Sequence, residues 1–251
     1  MGTGTSQGIP VIGCNCTVCQ SEDPRDKRLR TALAIRAGDT QLVVDCGPDF
    51  RQQMLANKIT WVDAILMTHE HNDHIVGMDD VRPFNFMNHQ DMPVYANERV
   101  QQQLKERFAY IFEKENRYPG APMLYLHGID KDTPFAVNGI PIQPIEVIHG
   151  RLPVLGFRID NFAYITDMKT ISDEEFHKLE GVEYLVLNAL HHKEHHSHMN
   201  LEQAVAFSRR VGASATYLTH ASHRMGLHAE VQAQLPAKVF QAYDGLSVRV
   251  T

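Results

Sequence analysis

Five short apolar runs in this chain each end in polar side chains, most of them metal-ligand types, and that recurrence restricts the fold more than any single motif does. Leu42-Val43-Val44 leads into Asp45, and Ala64-Ile65-Leu66-Met67 into Thr68-His69. Ala163-Tyr164-Ile165 leads into Thr166-Asp167, Tyr184-Leu185-Val186-Leu187 into Asn188, and Thr216-Tyr217-Leu218 into Thr219-His220. Runs this short, apolar and rich in β-branched or aromatic residues read as buried strands. Open sheets place their sites at the carboxyl ends of such strands. Helices are predicted between them. Asn97 can cap a segment carrying Val100, Leu104, Phe108 and Ile111 at helical spacing; Ser172 with Glu175 has a capping-box pattern; Asn200 can open a helix that Gly212 ends.

The densest of these strand ends is His69-Glu70-His71-Asn72-Asp73-His74, an H-x-H-x-D-H pattern. Imidazole and carboxylate together suit Zn²⁺, Mn²⁺ or Fe²⁺. His69 and His71 alternate along an extended loop and can converge, while Asp73 and His74 turn toward a second position. One ion cannot readily take all four. The spacing therefore suggests a two-metal hydrolytic centre that activates water and clamps an ester, the alternative being a chance cluster on a solvated loop.

Fifteen histidines make metal chemistry the first hypothesis for the whole chain. Three of the four cysteines, Cys14, Cys16 and Cys19, fall in G-C-N-C-T-V-C. Such close spacing makes mutual disulfides awkward but suits a structural Zn²⁺ site completed by a distant His or Cys. A reduced cluster without metal is the alternative. Cys46, following Asp45, reads as a small buried residue.

At 251 residues the chain has ample core for one large domain or two small ones. It shows no membrane-length apolar stretch and no basic-then-apolar leader, so cytoplasmic residence is the default expectation. The net charge of −6 argues against a protein that coats nucleic acid. Arg25, Lys27, Arg28 and Arg30 are read as a solvated loop, and Gly2-Thr3-Gly4 as a tight turn near the site. The stretch 83–144, richer in Pro, Asn and aromatics, reads as an insertion walling the pocket within one domain spanning 1–251. Phe84, Phe86, Tyr95, Tyr110 and Tyr118 can stack a base there or fill core. Arg82 can reach a substrate phosphate or pair with Asp79 or Asp80.

The H-x-H-x-D-H loop, taken with His149, Asp167 and His220, resembles the metallo-β-lactamase superfamily. That resemblance covers nearly the whole chain and implies an αβ/βα sandwich, with two mixed sheets inside and helices outside. G-T-G-T-S-Q-G, C-x-C-x-x-C, L-T-H-A-S-H and Y-D-G resemble more narrowly the phosphoribosyl 1,2-cyclic phosphate phosphodiesterase branch. It implies that His69, His71 and His149 bind one divalent metal, that Asp73, His74 and His220 bind another, and that Asp167 bridges them, with Zn, Mn or Fe as the ion. His223 would join Cys14, Cys16 and Cys19 on a structural Zn. His198 would act as general acid or clamp the phosphate, although His191, His192, His195 and His196 crowd the same loop. Asp45 would orient metal ligands. His89, His127, His177 and His228 are read as surface or satisfied core residues.

Members of this branch begin with a short apolar strand before G-T-G-T, whereas Met1 directly precedes Gly2 here. The resemblance therefore raises either a misplaced start or a sheet without that edge strand. The function implied is a phosphodiesterase acting on a small cyclic or nucleotide-like phosphodiester, in a chain that pairs as a homodimer. Two other readings share the fold: a tRNA 3′-processing nuclease, which calls for a basic arm, and a pyrroloquinoline quinone biosynthesis B-type redox protein, which shares the cysteine loop.

Overall fold

The computed structural model describes residues 1–113, 115 and 118–250. Twelve strands lie among them: β1 (Leu33–Ala37), β2 (Thr40–Val44), β3 (Ala64–Leu66), β4 (Met92–Ala96), β5 (Leu124–Gly128), β6 (Phe135–Val137), β7 (Ile140–His149), β8 (Leu152–Ile159), β9 (Phe162–Ile165), β10 (Tyr184–Asn188), β11 (Ala215–Thr219) and β12 (Val239–Gln241). They form two mixed sheets, one ordered β1-β2-β3-β4-β5 and the other β12-β11-β10-β9-β8-β7-β6. The β1–β2 pair is antiparallel and β2 to β5 run parallel. In the larger sheet β6 to β9 are antiparallel and β9 to β12 parallel.

Period-two alternation sorts the apolar residues into three layers of core. Leu42, Val44, Ala64 and Leu66 face Ile142, Leu155, Phe157 and Tyr164 between the sheets. Their neighbours Val43, Ile65 and Val94 point the other way, onto Phe50, Met54, Val100 and Leu104 of the covering helices. On the far side Ile165, Leu185, Leu187 and Leu218 pack on Ala204 and Phe207. Strands buried on both faces explain why these runs are continuously apolar rather than alternating. Truncating one such side chain, as in Leu66→Ala, costs about 2–5 kcal/mol.

Helix ends follow their caps. The Asn97 side chain accepts from Val100 N–H at the start of helix Glu98–Arg107. Asn200 and Gln203 form a reciprocal capping box on Leu201–Val211, which stops at Gly212 with φ 76°. At Ser172 only half the box forms: its hydroxyl accepts from Glu175 N–H, but the Glu175 carboxylate turns to Lys178 and Glu146 N–H.

Three expectations are corrected. Residues 83–144 are not an insertion over the site, because they supply β4, β5, β6 and the start of β7. Phe84 and Tyr95 accordingly fill core, Phe84 edge-on to Phe50 and Tyr95 stacked on His127 and Phe135. Gly2 to Gly4 do not turn: they run extended between Arg30–Ala32 and Ala221. A Cβ on Gly2 would stand 1.9 Å from the Arg30 carbonyl oxygen, so glycine serves close approach there. Arg28 is not solvated but buried, donating to Thr3 Oγ1 and the Ala242 carbonyl. Arg82 pairs with Asp79.

A cavity of about 830 Å³ opens beside edge strand β1, between Leu33, Ile35, Tyr164, Val186, Tyr217 and Val248. None of the clustered histidines lines it. No helix among the described residues is long and apolar enough to cross a membrane.

Candidate metal centre

Strand ends from both sheets converge on one edge of the sandwich. Asp45 follows β2, His69 lies just past β3, His149 ends β7, Asp167 follows β9, and His220 follows β11. Asp45, Asp167 and His220 have φ of 67°, 57° and 57°. That left-handed conformation is uncommon outside glycine, although Asp and His tolerate it better than most. It turns the chain sharply off each strand and is a strain of about 1–3 kcal/mol per residue that the surrounding packing must hold. His71 precedes the short helix Asn72–Ile75, which carries Asp73 and His74.

The ligand-type atoms fall into overlapping groups. His69, His71 and His149 come together in one, and Asp73, His74 and His220 in another. Asp167 joins His69 and His74 in a third group and therefore stands between the first two. His69 Nε2 lies 3.0 Å from His71 Nδ1, and His220 Nε2 lies 3.2 Å from Asp167 Oδ1. His74 Nε2 is 3.3 Å from Asp73 Oδ2 and 3.4 Å from Asp167 Oδ2.

Three outward nitrogens are tied down, those of His69, His74 and His149. Asp45 Oδ2 lies 2.7 Å from His74 Nδ1, so the buried carboxylate accepts that proton and leaves Nε2 facing inward. Asp45 also accepts from the backbone N–H and hydroxyl of Thr68 at 2.9 and 2.8 Å. With its own proton given to Asp45, the Thr68 oxygen accepts from His69 Nδ1 at 2.9 Å. His149 Nδ1 donates to the Ser197 carbonyl at 2.8 Å. Thr68 and Ser197 were not singled out by sequence reasoning; the only signal was their adjacency to His69 and His198.

The donor set fits divalent cations. His74 Nε2 and both ring nitrogens of His220 are buried with no hydrogen-bond partner, an arrangement that costs free energy unless a ligand completes it. Burial holds His69 well below the usual imidazole range, so it presents a lone pair. Burial pushes Asp167 upward, yet His220 and His74 beside it and the His198 hydrogen bond hold its carboxyl well below the ordinary range. Asp73 behaves alike: burial is outweighed by the His220 and His74 imidazoles beside its carboxyl. Burial lowers His74, but Asp45 and Asp167 beside it hold it well above the imidazole range. Imidazole nitrogens together with carboxylate oxygens are what divalent first-row metals select.

His198 reaches the same centre, its Nε2 3.0 Å from Asp167 Oδ1 and its ring stacked 4.9 Å from that of His220. Burial lowers it to about 4. Among its crowded neighbours, His192 donates to the Met225 carbonyl at 2.7 Å, while His191, His195 and His196 form a ring cluster beside it. His89 and His177 are exposed, and His228 is buried beside Arg28.

A second cluster joins the N-terminal loop to the segment after β11. Sγ of Cys14, Cys16 and Cys19 lie 3.2, 3.4 and 3.5 Å from His223 Nδ1. Helix Thr17–Gln20 presents Cys19, whose sulfur also accepts from Val11 N–H. This closed Cys₃His set matches a structural zinc site. Cys46 is fully buried and apart from it.

Fold and site together define a protein of the metallo-β-lactamase type with a donor set for divalent cations. The chain belongs to the beta-lactamase superfamily domain family, whose model matches residues 40–221. It is 40% identical to a solved structure described as a new diphosphatase from the PhnP family, with a TM-score of 0.91 covering 98% of this chain and 93% of that one. A zinc-bound PqqB from Methylobacterium extorquens shares the fold at 16% identity, TM-score 0.79, covering 99% and 98% of the two chains. Human short-form tRNase Z also shares the fold, at 16% identity and TM-score 0.70, covering 100% and 97%. An octanoyltransferase of Porphyromonas gingivalis is 43% identical over 248 residues, which are 98% of this chain and 50% of that protein. The chain spans about half the length of the curated relatives it matches.

Proposed function

We propose that this chain is a phosphodiesterase that hydrolyses a small soluble phosphodiester or diphosphate. The observation that carries this reading is Asp167 standing between two histidine-rich groups. His69, His71 and His149 would hold one divalent cation, and Asp73, His74 and His220 a second. Ions held there supply a nucleophilic water near neutral pH and positive charge for the phosphoryl oxygens.

The protein's own groups do the rest. Asp45, Thr68 and the Ser197 carbonyl keep three imidazoles in the tautomer that points Nε2 inward. His198 would present Nε2 to the phosphate, as a clamp on it or as a partner to the leaving-group oxygen as charge develops there. A role of that kind is worth about 10²–10⁴-fold where a proton is transferred. Cys14, Cys16, Cys19 and His223 would hold a zinc that fastens the N-terminal loop beside the site. The diphosphatase name of the solved relative at 40% identity supports including phosphoanhydrides among the substrates.

The test is purified protein loaded with Mn²⁺ or Zn²⁺, given bis-p-nitrophenyl phosphate, cyclic nucleotides and nucleoside diphosphate conjugates. Turnover abolished by His69→Ala is expected. No turnover on any of them, with wild type and His69→Ala indistinguishable, would overturn the reading. In that case a gel shift with tRNA would favour the nuclease, and iron-dependent oxygen consumption the PqqB-like redox protein, a protein B relative from Xanthomonas axonopodis pv. citri being 28% identical over 169 residues.

A further inference from the structure

His220 differs from His69, His74 and His149 in how it is held. Those three each have an outward nitrogen fixed, by Thr68, Asp45 and the Ser197 carbonyl. Both nitrogens of His220 are buried without a hydrogen-bond partner, and its backbone sits at φ 57°. Apart from ring stacking on His198 at 4.9 Å and on His74 at 6.0 Å, its position is set by the main chain around it.

That main chain reaches the cysteine cluster three residues later, at His223. Between the two, Ala221 is buried and clamped at both its polar groups. Its N–H donates to the Thr3 carbonyl at 2.9 Å, and its carbonyl accepts from Thr5 N–H at 3.0 Å. Thr3 is itself fixed, its hydroxyl donating to Asp244 Oδ1 at 2.7 Å and accepting from Arg28 Nη1 at 2.8 Å. The chain from Thr5 runs on to Cys14, Cys16 and Cys19, which meet His223 Nδ1 at 3.2, 3.4 and 3.5 Å. Two arms are therefore joined at both ends, by backbone bonds at Ala221 and by the thiol–imidazole cluster at His223. Opening the cluster leaves the segment after the left-handed turn at His220 held by backbone bonds alone.

We propose that a zinc held by Cys14, Cys16, Cys19 and His223 is coupled energetically to the cation held by Asp73, His74 and His220, and only weakly to the one held by His69, His71 and His149. Zinc shortage would then weaken one half of the centre while the fold persists. The coupling acts in both directions, as linkage between binding free energies must. A cation at Asp73, His74 and His220 steadies the segment and strengthens the closed cysteine cluster. The inference rests on the reading of the centre as two cation positions.

Calorimetric titration of full-length protein with Mn²⁺, an ion that thiolates do not select, reads both halves. His69→Asn and His220→Asn, each lacking one ligand, show which half is which, and asparagine tolerates the left-handed backbone at 220. Cys16→Ser, freed of zinc, should bind as many Mn²⁺ at saturation as wild type. It should hold the ion at Asp73, His74 and His220 about tenfold more weakly and the other within about twofold of wild type. A zinc that merely holds the fold together would change both affinities alike or neither, and either result would overturn the proposal. The reverse direction needs no substitution in the cluster. Alkylation of Cys14, Cys16 and Cys19 in zinc-loaded protein, read by peptide mapping, should slow about tenfold when Mn²⁺ is added. His69→Asn should keep that protection and His220→Asn should lose it. Labelling indifferent to Mn²⁺ in wild type, or protection lost equally in the two variants, would also overturn the coupling. Fewer than two Mn²⁺ bound by wild type would fell the two-cation reading and the coupling together, whereas two bound without this selectivity would fell the coupling alone.

Discussion

Asp45 Oδ2 meets His74 Nδ1 at 2.7 Å with both side chains fully buried, and Thr68 ties the same carboxylate to His69. One aspartate thus fixes an imidazole from each of the two metal-type groups. Asp45→Asn, which tolerates the left-handed backbone, should keep the fold but lower metal affinity about 10–100-fold. Asp45→Ala adds backbone strain and leaves the buried His74 proton unpaired, so it should also lose stability, by about 3–5 kcal/mol. Metal titration followed by calorimetry and denaturant unfolding separates the two effects. Wild-type affinity in Asp45→Asn would refute the orienting role.

The histidine loop is seated by backbone approach as well as by ligands. A Cβ on Gly47 would lie 2.0 Å from the Asp73 carbonyl oxygen, and one on Gly77 2.1 Å from that of Gly47. Gly77→Ala, outside the metal groups, should cost about 1–3 kcal/mol and displace Asp73 and His74. Metal retention through dialysis should fall with it. A variant that unfolds and binds metal as wild type does would show that the loop has slack.

Thiol reactivity should divide the four cysteines. In chelator-treated protein the Cys19 backbone N–H bonding to the Cys16 sulfur, working against slight burial, and further bonds from His223 and Cys14 lower Cys16 to about 6, while burial raises Cys19 to about 11. Burial also holds Cys46 well above the ordinary thiol range. The thiolate is the nucleophile. Cys16 should therefore react first at neutral pH, its rate falling as pH drops through about 6. Cys46 should react only on unfolding. Stopped-flow labelling with peptide mapping tests the order.

His223→Ala should remove one tightly held zinc per chain and leave the other metals in place. A loss of about 3 kcal/mol corresponds to a Tm lower by roughly 6–12 °C in a chain of this size. Elemental analysis paired with a melting curve reads both.

Much of the architecture was legible in the chain because buried strands and their ligand-bearing ends are local patterns. Leu42–Val44 with Asp45 and Thr216–Leu218 with Thr219-His220 show both in a few residues. The grouping of His149 and His223 with residues far away in sequence came from the family resemblance, since no local spacing links them. β4 and β5 were hidden by Pro93 and His127, which interrupt their apolar runs. Gly2 and Gly4 were misread because close packing and turn formation call for the same residue. The role of Thr68 depends on which way one hydroxyl points, and composition carries no such information.

His223 is separated by 209, 207 and 204 residues from Cys14, Cys16 and Cys19. At translation rates of 5–20 residues per second, the thiols leave the ribosome roughly 10–40 s before the histidine that completes their set. For that interval the nascent chain carries an open three-cysteine loop, exposed to oxidants and to competing soft metals. A zinc held there would close the loop only late in synthesis, and cells starved of zinc should accumulate chains whose cysteine loop stays open.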